Sequence, residues 1–438
     1  MMYSQSLTLS LFTILASFGL CFGSYLEERH YSTNHQPYNE RLVKPRHEQF
    51  SFMARAHHPS IAPSPQSHNT VNVNDYGAKS NDGQVDNEAF EMAWNEACSN
   101  GKVLVVPKQS VYHLNPITFS GPCQPNTALK IYGTIKAWPR ISAYGADRKL
   151  WIKFENVTNL IVDGGGTING NGRIWWENSC KVNESLPCKG APTAVTFDEC
   201  NNLKVDKIRF RNAQQMHLRI QGCNNVWASN LIVTAPGHSP NTDGIHITHS
   251  QNVFITNSTI GTGDDCISIV SGSKNVRATD ITCGPGHGIS IGSLGGGNTQ
   301  AEVSNVEVNR ATLIGTTNGV RIKTWQGGSG YARNIKFINI VVRNVTNPII
   351  IDQKYCDQKK KCQEQNSAVE LSNVMYQNIK GTSASEVAIK LECSKAVPCK
   401  GIHLQDVKIT GENIKDTIAK CDNVKYSNSG MFFPKCHP

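Results

Sequence analysis

The sequence predicts an all-β chain wound as a right-handed parallel β-helix, with a short capping helix near its N-terminus. Three observations predict it. An asparagine followed by an aliphatic residue returns at Asn159-Leu160, Asn202-Leu203, Asn225-Val226, Asn252-Val253, Asn275-Val276, Asn305-Val306 and Asn334-Ile335. From Asn202 to Asn334 the steps are 23, 27, 23, 30 and 29 residues, the mark of internal repetition at one coil per step. Such a coil is too short for a crossover helix, and its β-branched runs and Gly/Asn turns read as several short strands. Only one stretch, after Asp86, shows substantial helical periodicity. Identical amides stacked from coil to coil would hydrogen-bond along the axis. A β-sandwich is the alternative, but it gives no reason for such constant spacing.

In chain order, Leu7 to Phe22 is an apolar run ending in small residues near Cys21-Phe22-Gly23-Ser24. It is too short and too N-terminal for a membrane span and reads as a secretory signal, residues 1–23. Residues 24–70 are polar, rich in His, Pro, Ser and Gln, and lack the apolar surface to offset ordering entropy. They read as a removable pro-segment or a flexible linker. Residues 71–438 are expected to form the β-helix domain. Val71-Asn72-Val73 opens it, and Asp86 is expected to cap a helix whose Ala89, Phe90, Ala93 and Ala97 share one face over the open end of the solenoid. The long interval between Asn159 and Asn202 holds Arg173-Ile174-Trp175-Trp176, Cys180 and Cys188, expected as a protruding loop tied by cysteines.

The net charge of +9 favours acidic partners. Its Lys and Arg residues are scattered and no nucleic-acid module occurs, which argues against nucleic acid. No later apolar run reaches membrane-spanning length. Removal of Cys21 from the 15 cysteines leaves fourteen, an even number that suits disulfides and secretion. The pairs Cys356/Cys362, Cys393/Cys399 and Cys421/Cys436 have spacings that permit local bridges. Sequons stand at Asn156, Asn183, Asn257 and Asn344.

The chemistry centres on Gly261-Thr262-Gly263-Asp264-Asp265. Asp243 lies 22 residues before Asp265, and His287 lies 22 after it. On coils of that length the three positions stack about 4.8 Å apart. Carboxylates so close cannot all ionise freely, so one keeps a proton and serves as acid while others serve as base. Arg321 and Lys323 in Gly319-Val320-Arg321-Ile322-Lys323 share a strand face and suit an anionic substrate.

Taken together, Asn241-Thr242-Asp243, Gly261-Thr262-Gly263-Asp264-Asp265, Gly286-His287-Gly288 and Arg321-Ile322-Lys323, in this order and spacing, resemble polygalacturonases of glycoside hydrolase family 28. The likeness runs from about Val71 to the C-terminus. Trp175-Trp176 with Ser179-Cys180, and Asn212-Ala213-Gln214-Gln215, resemble the plant endo-acting branch. The resemblance implies secretion to the cell wall and hydrolysis of α-1,4-galacturonan, the de-esterified backbone of pectin, with inversion, by a monomer needing no cofactor or metal. It implies that Asp264 is the general acid, that Asp243 and Asp265 hold and deprotonate water, and that His287 supports the acid. Arg321 and Lys323 would grip the substrate carboxylate, with Asn241 and Tyr355 lining the same cleft.

Three rival readings stand beside it. A pectate lyase would share fold and substrate but need Ca²⁺ and a basic proton abstractor. A carbohydrate-binding solenoid would need no intact acid and water-activating pair. Exo-action is the alternative within the hydrolases.

Overall fold

The computed structural model describes residues 69–145, 148–358, 362–412 and 416–436; the expected signal and pro-segment lie outside them. These residues wind into parallel coils whose strands form one 18-stranded and one 11-stranded sheet. The smaller sheet takes one strand per coil. From Thr193–Asp198 it runs through Leu218–Gln221, Ile245–Thr248, Ile267–Ile269, Ile289–Leu294 and Asn318–Trp325 to Asn347–Tyr355, all parallel. Inward positions alternate along the strands. They stack Ile245, Ile267, Ile289 and Val320, or Ile247, Ile269, Ile291 and Ile322, into one buried core.

The repeating asparagines are corner residues. Asn202, Asn225, Asn252, Asn275, Asn305, Asn334 and Asn373 all adopt φ between 52° and 58°, the left-handed region. A second left-handed residue follows five positions later in each coil: Lys207, Asn230, Asn257, Asp280, Arg310, Asn339 and Asn378. These corners bend the larger sheet. A left-handed residue costs roughly 1–2 kcal/mol unless it is Gly, and least for Asn or Asp. The side chains offset that cost by bonding the coil below, a hydrogen bond contributing about 1 kcal/mol net. Asn202 donates to Asn159 at 3.0 Å, Asn275 to Asn252 at 3.0 Å, Asn305 to Asn275 at 2.9 Å and Asn373 to Asn334 at 2.8 Å. The expected ladder therefore forms, with one sidestep where Asn252 bonds Asn224 rather than Asn225. In the second column Arg310 continues the stacking by a paired contact with Asp280, 2.7 Å at both oxygens.

The helix Asn87–Asn100 covers the N-terminal coil with Ala89, Phe90, Ala93, Trp94, Ala97 and Cys98 buried. Trp94 packs on Phe119 at 5.1 Å between ring centroids, and a Cys98–Cys123 disulfide ties the helix down. Asp86 corrects one expectation. It sits at the N-cap, but its carboxylate bonds the Lys79 and His113 amides instead of the helix, because burial under the cap brings those N–H groups closer. The Arg173 segment is a short helix, Arg173–Glu177, followed by a loop closed by Cys180–Cys188. Trp176 anchors it by donating from Nε1 to the Ala213 carbonyl at 3.0 Å.

Disulfides also join Cys266–Cys283, Cys356–Cys362, Cys393–Cys399 and Cys421–Cys436. An even cysteine count does not mean complete pairing here. Cys200 and Cys223 are unbridged and buried in adjacent coils, where they fill core positions as small apolar residues and the Cys200 amide donates to Cys223 Sγ.

Candidate active site

Three turns leading into neighbouring strands of the small sheet carry the ionisable groups. Asp243, Asp265 and His287 each stand two residues before register partners Ile245, Ile267 and Ile289, so the equal spacing does place them in one row. The backbone locks that row: the Gly244 amide donates to the Asp265 carbonyl at 2.9 Å and the His287 amide to the Asp264 carbonyl at 2.7 Å. Thr242, fully buried, accepts from the Gly263 amide at 2.9 Å. Gly263 is obligatory, since a Cβ there would lie 2.0 Å from the Ser239 carbonyl oxygen. Gly288, at φ +84°, would put a Cβ 2.0 Å from the Asn318 carbonyl oxygen.

Asp264 and Asp265 are adjacent but engage different partners. Asp264 Oδ1 accepts from its neighbour's amide at 2.8 Å and lies 3.0 Å from His287 Nδ1, while Oδ2 receives a long 3.4 Å bond from Asn241 Nδ2. Asp265 is buried and clamped by cations, with Arg321 Nη2 at 2.6 Å from Oδ1 and Lys323 Nζ at 3.0 Å from Oδ2. Arg321 and Lys323 thus share a face as expected, and both are turned on Asp265. A guanidinium has five N–H groups and an ammonium three, so each keeps donors for a further anion. Tyr355 lies over the same groups, with Lys323 Nζ 5.3 Å from its ring centroid.

The clustered groups are perturbed in different directions. Burial, with Asp264 and Asp265 nearby, raises Asp243 above the usual aspartate range despite His246, whose Nδ1 lies 3.8 Å from Asp243 Oδ2. Burial also pushes Asp264 up, but the His287 hydrogen bond and charge, with Lys323, more than offset it and leave Asp264 low. His287 is raised in turn by Asp264, against the effect of burial. Asp264 and His287 therefore act as one acid–base pair joined at 3.0 Å, each shifted by the other.

A second row, missed in the sequence, supports the first. His246, Ser268, Ser290 and Arg321 are register partners, and the first three repeat the same 22-residue step. Ser268 Oγ donates to Asp243 Oδ2 at 2.7 Å, and Ser290 Oγ donates to Asp265 Oδ1 at 2.8 Å while accepting from Arg321 Nε at 2.9 Å. His217 lies beneath, fully buried and pushed down to about 4 by desolvation, with Nδ1 2.9 Å from the Asp243 carbonyl oxygen. It is neutral and positions the Asp243 turn. The period that singles out Asp243 would have found the His246 row; nothing local marks His217.

All eight expected site residues, Asn241, Asp243, Asp264, Asp265, His287, Arg321, Lys323 and Tyr355, line one groove of 730 Å³. A second cavity of 470 Å³ meets it at Lys181, Pro240, Asn241 and Asp357 and runs past Trp175, Gln214 and Gln215. The ligand atoms of Asp264, Asp265 and His287 lie within 4.8 Å of one another, close enough to close on an ion. The two cations already held by Asp265 oppose a further one.

Residues 98–430 match Glycosyl hydrolases family 28. The chain is 53% identical to Polygalacturonase QRT2 of Arabidopsis thaliana, over 99% of this chain and 100% of that protein. It is 59% identical to a polygalacturonase of Persea americana, over 81% of this chain and 77% of that protein. Among solved structures it resembles the endo-xylogalacturonan hydrolase of Aspergillus tubingensis (TM-score 0.72, 25% identity, 82% of this chain and 100% of that one). Its fold also matches the polygalacturonase of Erwinia carotovora (TM-score 0.66, 24% identity, 80% and 95% covered). A family match across most of the coils, and relatives this similar along nearly the whole chain, establish that the chain belongs to glycosyl hydrolase family 28.

Proposed function

We propose that this chain is a secreted, monomeric polygalacturonase that cuts α-1,4-galacturonosyl linkages inside de-esterified pectin with inversion of configuration. The carrying observation is the division of labour among three clustered carboxyls: one paired with a histidine, one raised by burial, one clamped by two cations. Asp264, 3.0 Å from His287 Nδ1, delivers to the leaving oxygen the proton that it shares with the imidazole. Asp243, raised, is the better base for water, and Asp265 holds that water from the next coil. Arg321 and Lys323 keep spare donors for a substrate carboxylate, with Asn241 and Tyr355 beside them. The signal at 1–23, the pro-segment or linker at 24–70 and the catalytic domain at 71–438 belong to this reading. Two cavities joined end to end support endo-action, since they offer room for sugars on both sides of the acid.

Early digestion of polygalacturonate should release reducing ends as a spread of oligomers, and NMR should show the β-anomer first, as a water-mediated displacement requires. Monomer alone would mean exo-action, and α-anomer at the outset would refute inversion. Unsaturated products absorbing in the ultraviolet, or loss of activity in chelator, would mean a lyase.

The pKa directions fix the shape of the pH profile. The base must be ionised, so activity falls as pH drops through the raised value of Asp243, above the ordinary aspartate value of about 3.9. The acid pair must hold its proton, so activity falls as pH rises through the raised value of His287, above about 6.5. A bell with its maximum on the acid side of neutrality is expected in kcat/KM. His287→Ala should displace its alkaline limb; an unmoved limb would remove His287 from the proton-holding pair.

A further inference from the structure

The pair Lys181 and Asp357 is separated by 176 residues, with Lys181 Nζ 2.8 and 3.0 Å from the two carboxylate oxygens. Lys181 lies in the loop leading into the start of strand Thr193–Asp198, and Asp357 in the loop leaving the end of Asn347–Tyr355. The two strands belong to the same parallel sheet with five strands between them, Leu218–Gln221, Ile245–Thr248, Ile267–Ile269, Ile289–Leu294 and Asn318–Trp325. The loops therefore rise six strand spacings apart, roughly 29 Å along the axis. Contact between them has to cross the sheet face diagonally, above the groove that carries Asp264 and Lys323. Both loops are stiffened at the root, by Cys180–Cys188 and Cys356–Cys362. The pair and Pro240–Asn241 are the residues common to the two cavities, so together they bound the neck between them.

We infer that Lys181 and Asp357 form a strap across the substrate groove that sets how often a polymer is cut before it is released. This rests on the polygalacturonase reading above. Closed, the strap encloses a chain lying through both cavities. Open, it admits a chain from the side. The ion pair is about half exposed at each end, hence weak and screened by salt. It is a strap that opens readily, which suits entry of an internal stretch of polymer.

The test uses Lys181→Glu, Asp357→Lys and the double charge swap. Each single variant should cut more randomly, with viscosity loss per reducing end rising roughly two- to fivefold, the population change an exposed ion pair carries. The swap should return that ratio toward wild type, and the differences should fade in about 1 M salt, where screening acts over about 3 Å. In an Asp264→Asn background, dissociation from immobilised polygalacturonate should quicken by the same factor in the singles, and the effect should grow from digalacturonate to polymer. Singles that match wild type, a swap that restores nothing, or an equal effect at every chain length would overturn the strap while leaving the hydrolase intact. Wild-type protein that neither binds nor cuts polygalacturonate would overturn the reading of function, and the strap with it.

Discussion

Asp264→Asn is expected to lower kcat by about 10²–10⁴-fold, the usual contribution of a positioned general acid, while the protein stays folded. The substitution is nearly isosteric, and an amide oxygen can still accept from the Asp265 amide that Oδ1 now bonds. What disappears is the titratable proton and the charge that raises His287. Circular dichroism and the melting temperature should change little, and the loss should appear in kcat rather than in KM. Turnover within tenfold of wild type would show that another group protonates the leaving oxygen. The adjacent Asp265 would not be a candidate, because Arg321 and Lys323 already occupy its two carboxylate oxygens.

Lys323→Ala is expected to damage both activity and stability. Lys323 is nearly buried and faces Asp265, whose side chain is only 2% exposed. Removing one partner of a buried ion pair costs about 3–5 kcal/mol, and here the lower end applies because Arg321 stays on the other oxygen. The loss of one charge-assisted hydrogen bond to a substrate carboxylate is worth about 1.5–3 kcal/mol, so kcat/KM on the acidic polymer should fall roughly tenfold to a hundredfold. The preference for acid over methyl ester should narrow by a similar factor, since the ester offers no charge to lose. Arg321→Ala should follow the same pattern, with an added defect from releasing Ser290. If Lys323→Ala melted early yet kept the wild-type preference, the lysine would be a structural partner of Asp265 and not a reader of the substrate.

The parts of the fold that were legible in the sequence are those governed by period. Asn202 to Asn334 announce the coil, and the 22-residue step puts Asp243, Asp265 and His287 in one row because a parallel sheet converts sequence intervals directly into stacking. The reason for asparagine at those corners, the left-handed backbone, is a property of the bend and has no separate signature. The contact between Asp264 and His287 had no local signature, because a 3.0 Å approach from a neighbouring coil depends on how the two turns stack. Asp86 was misread for a similar reason. A local capping pattern cannot register that amides of Lys79 and His113 arrive from elsewhere. Cys200 and Cys223 show the limit of counting, since parity says nothing about whether a thiol points into the core.

A solenoid resembles a crystal growing along one axis: each coil is a template for the next, and growth has to be stopped. The two ends of this molecule stop it differently. At the first coil a helix with six buried residues blocks further addition outright. At the last, the strand Val424–Phe433 is paired with Cys399–Gly411, and only Phe432 in it is buried. No helix covers this end among the described residues, and Tyr426, Met431 and Phe433 of the strand are partly exposed. What discourages a second molecule from docking end-on is the character of the strand itself, with Lys425, Ser427, Asn428 and Ser429 facing water and Cys421–Cys436 fastening it to its own coil. Resistance to joining end to end is therefore shared between the helix at the first coil and about ten residues at the last. A truncation there would bare the outer edge of Cys399–Gly411 while leaving the groove, on other coils, intact; with the helix still closing the first coil, pairing through that one edge is expected to stop at two molecules.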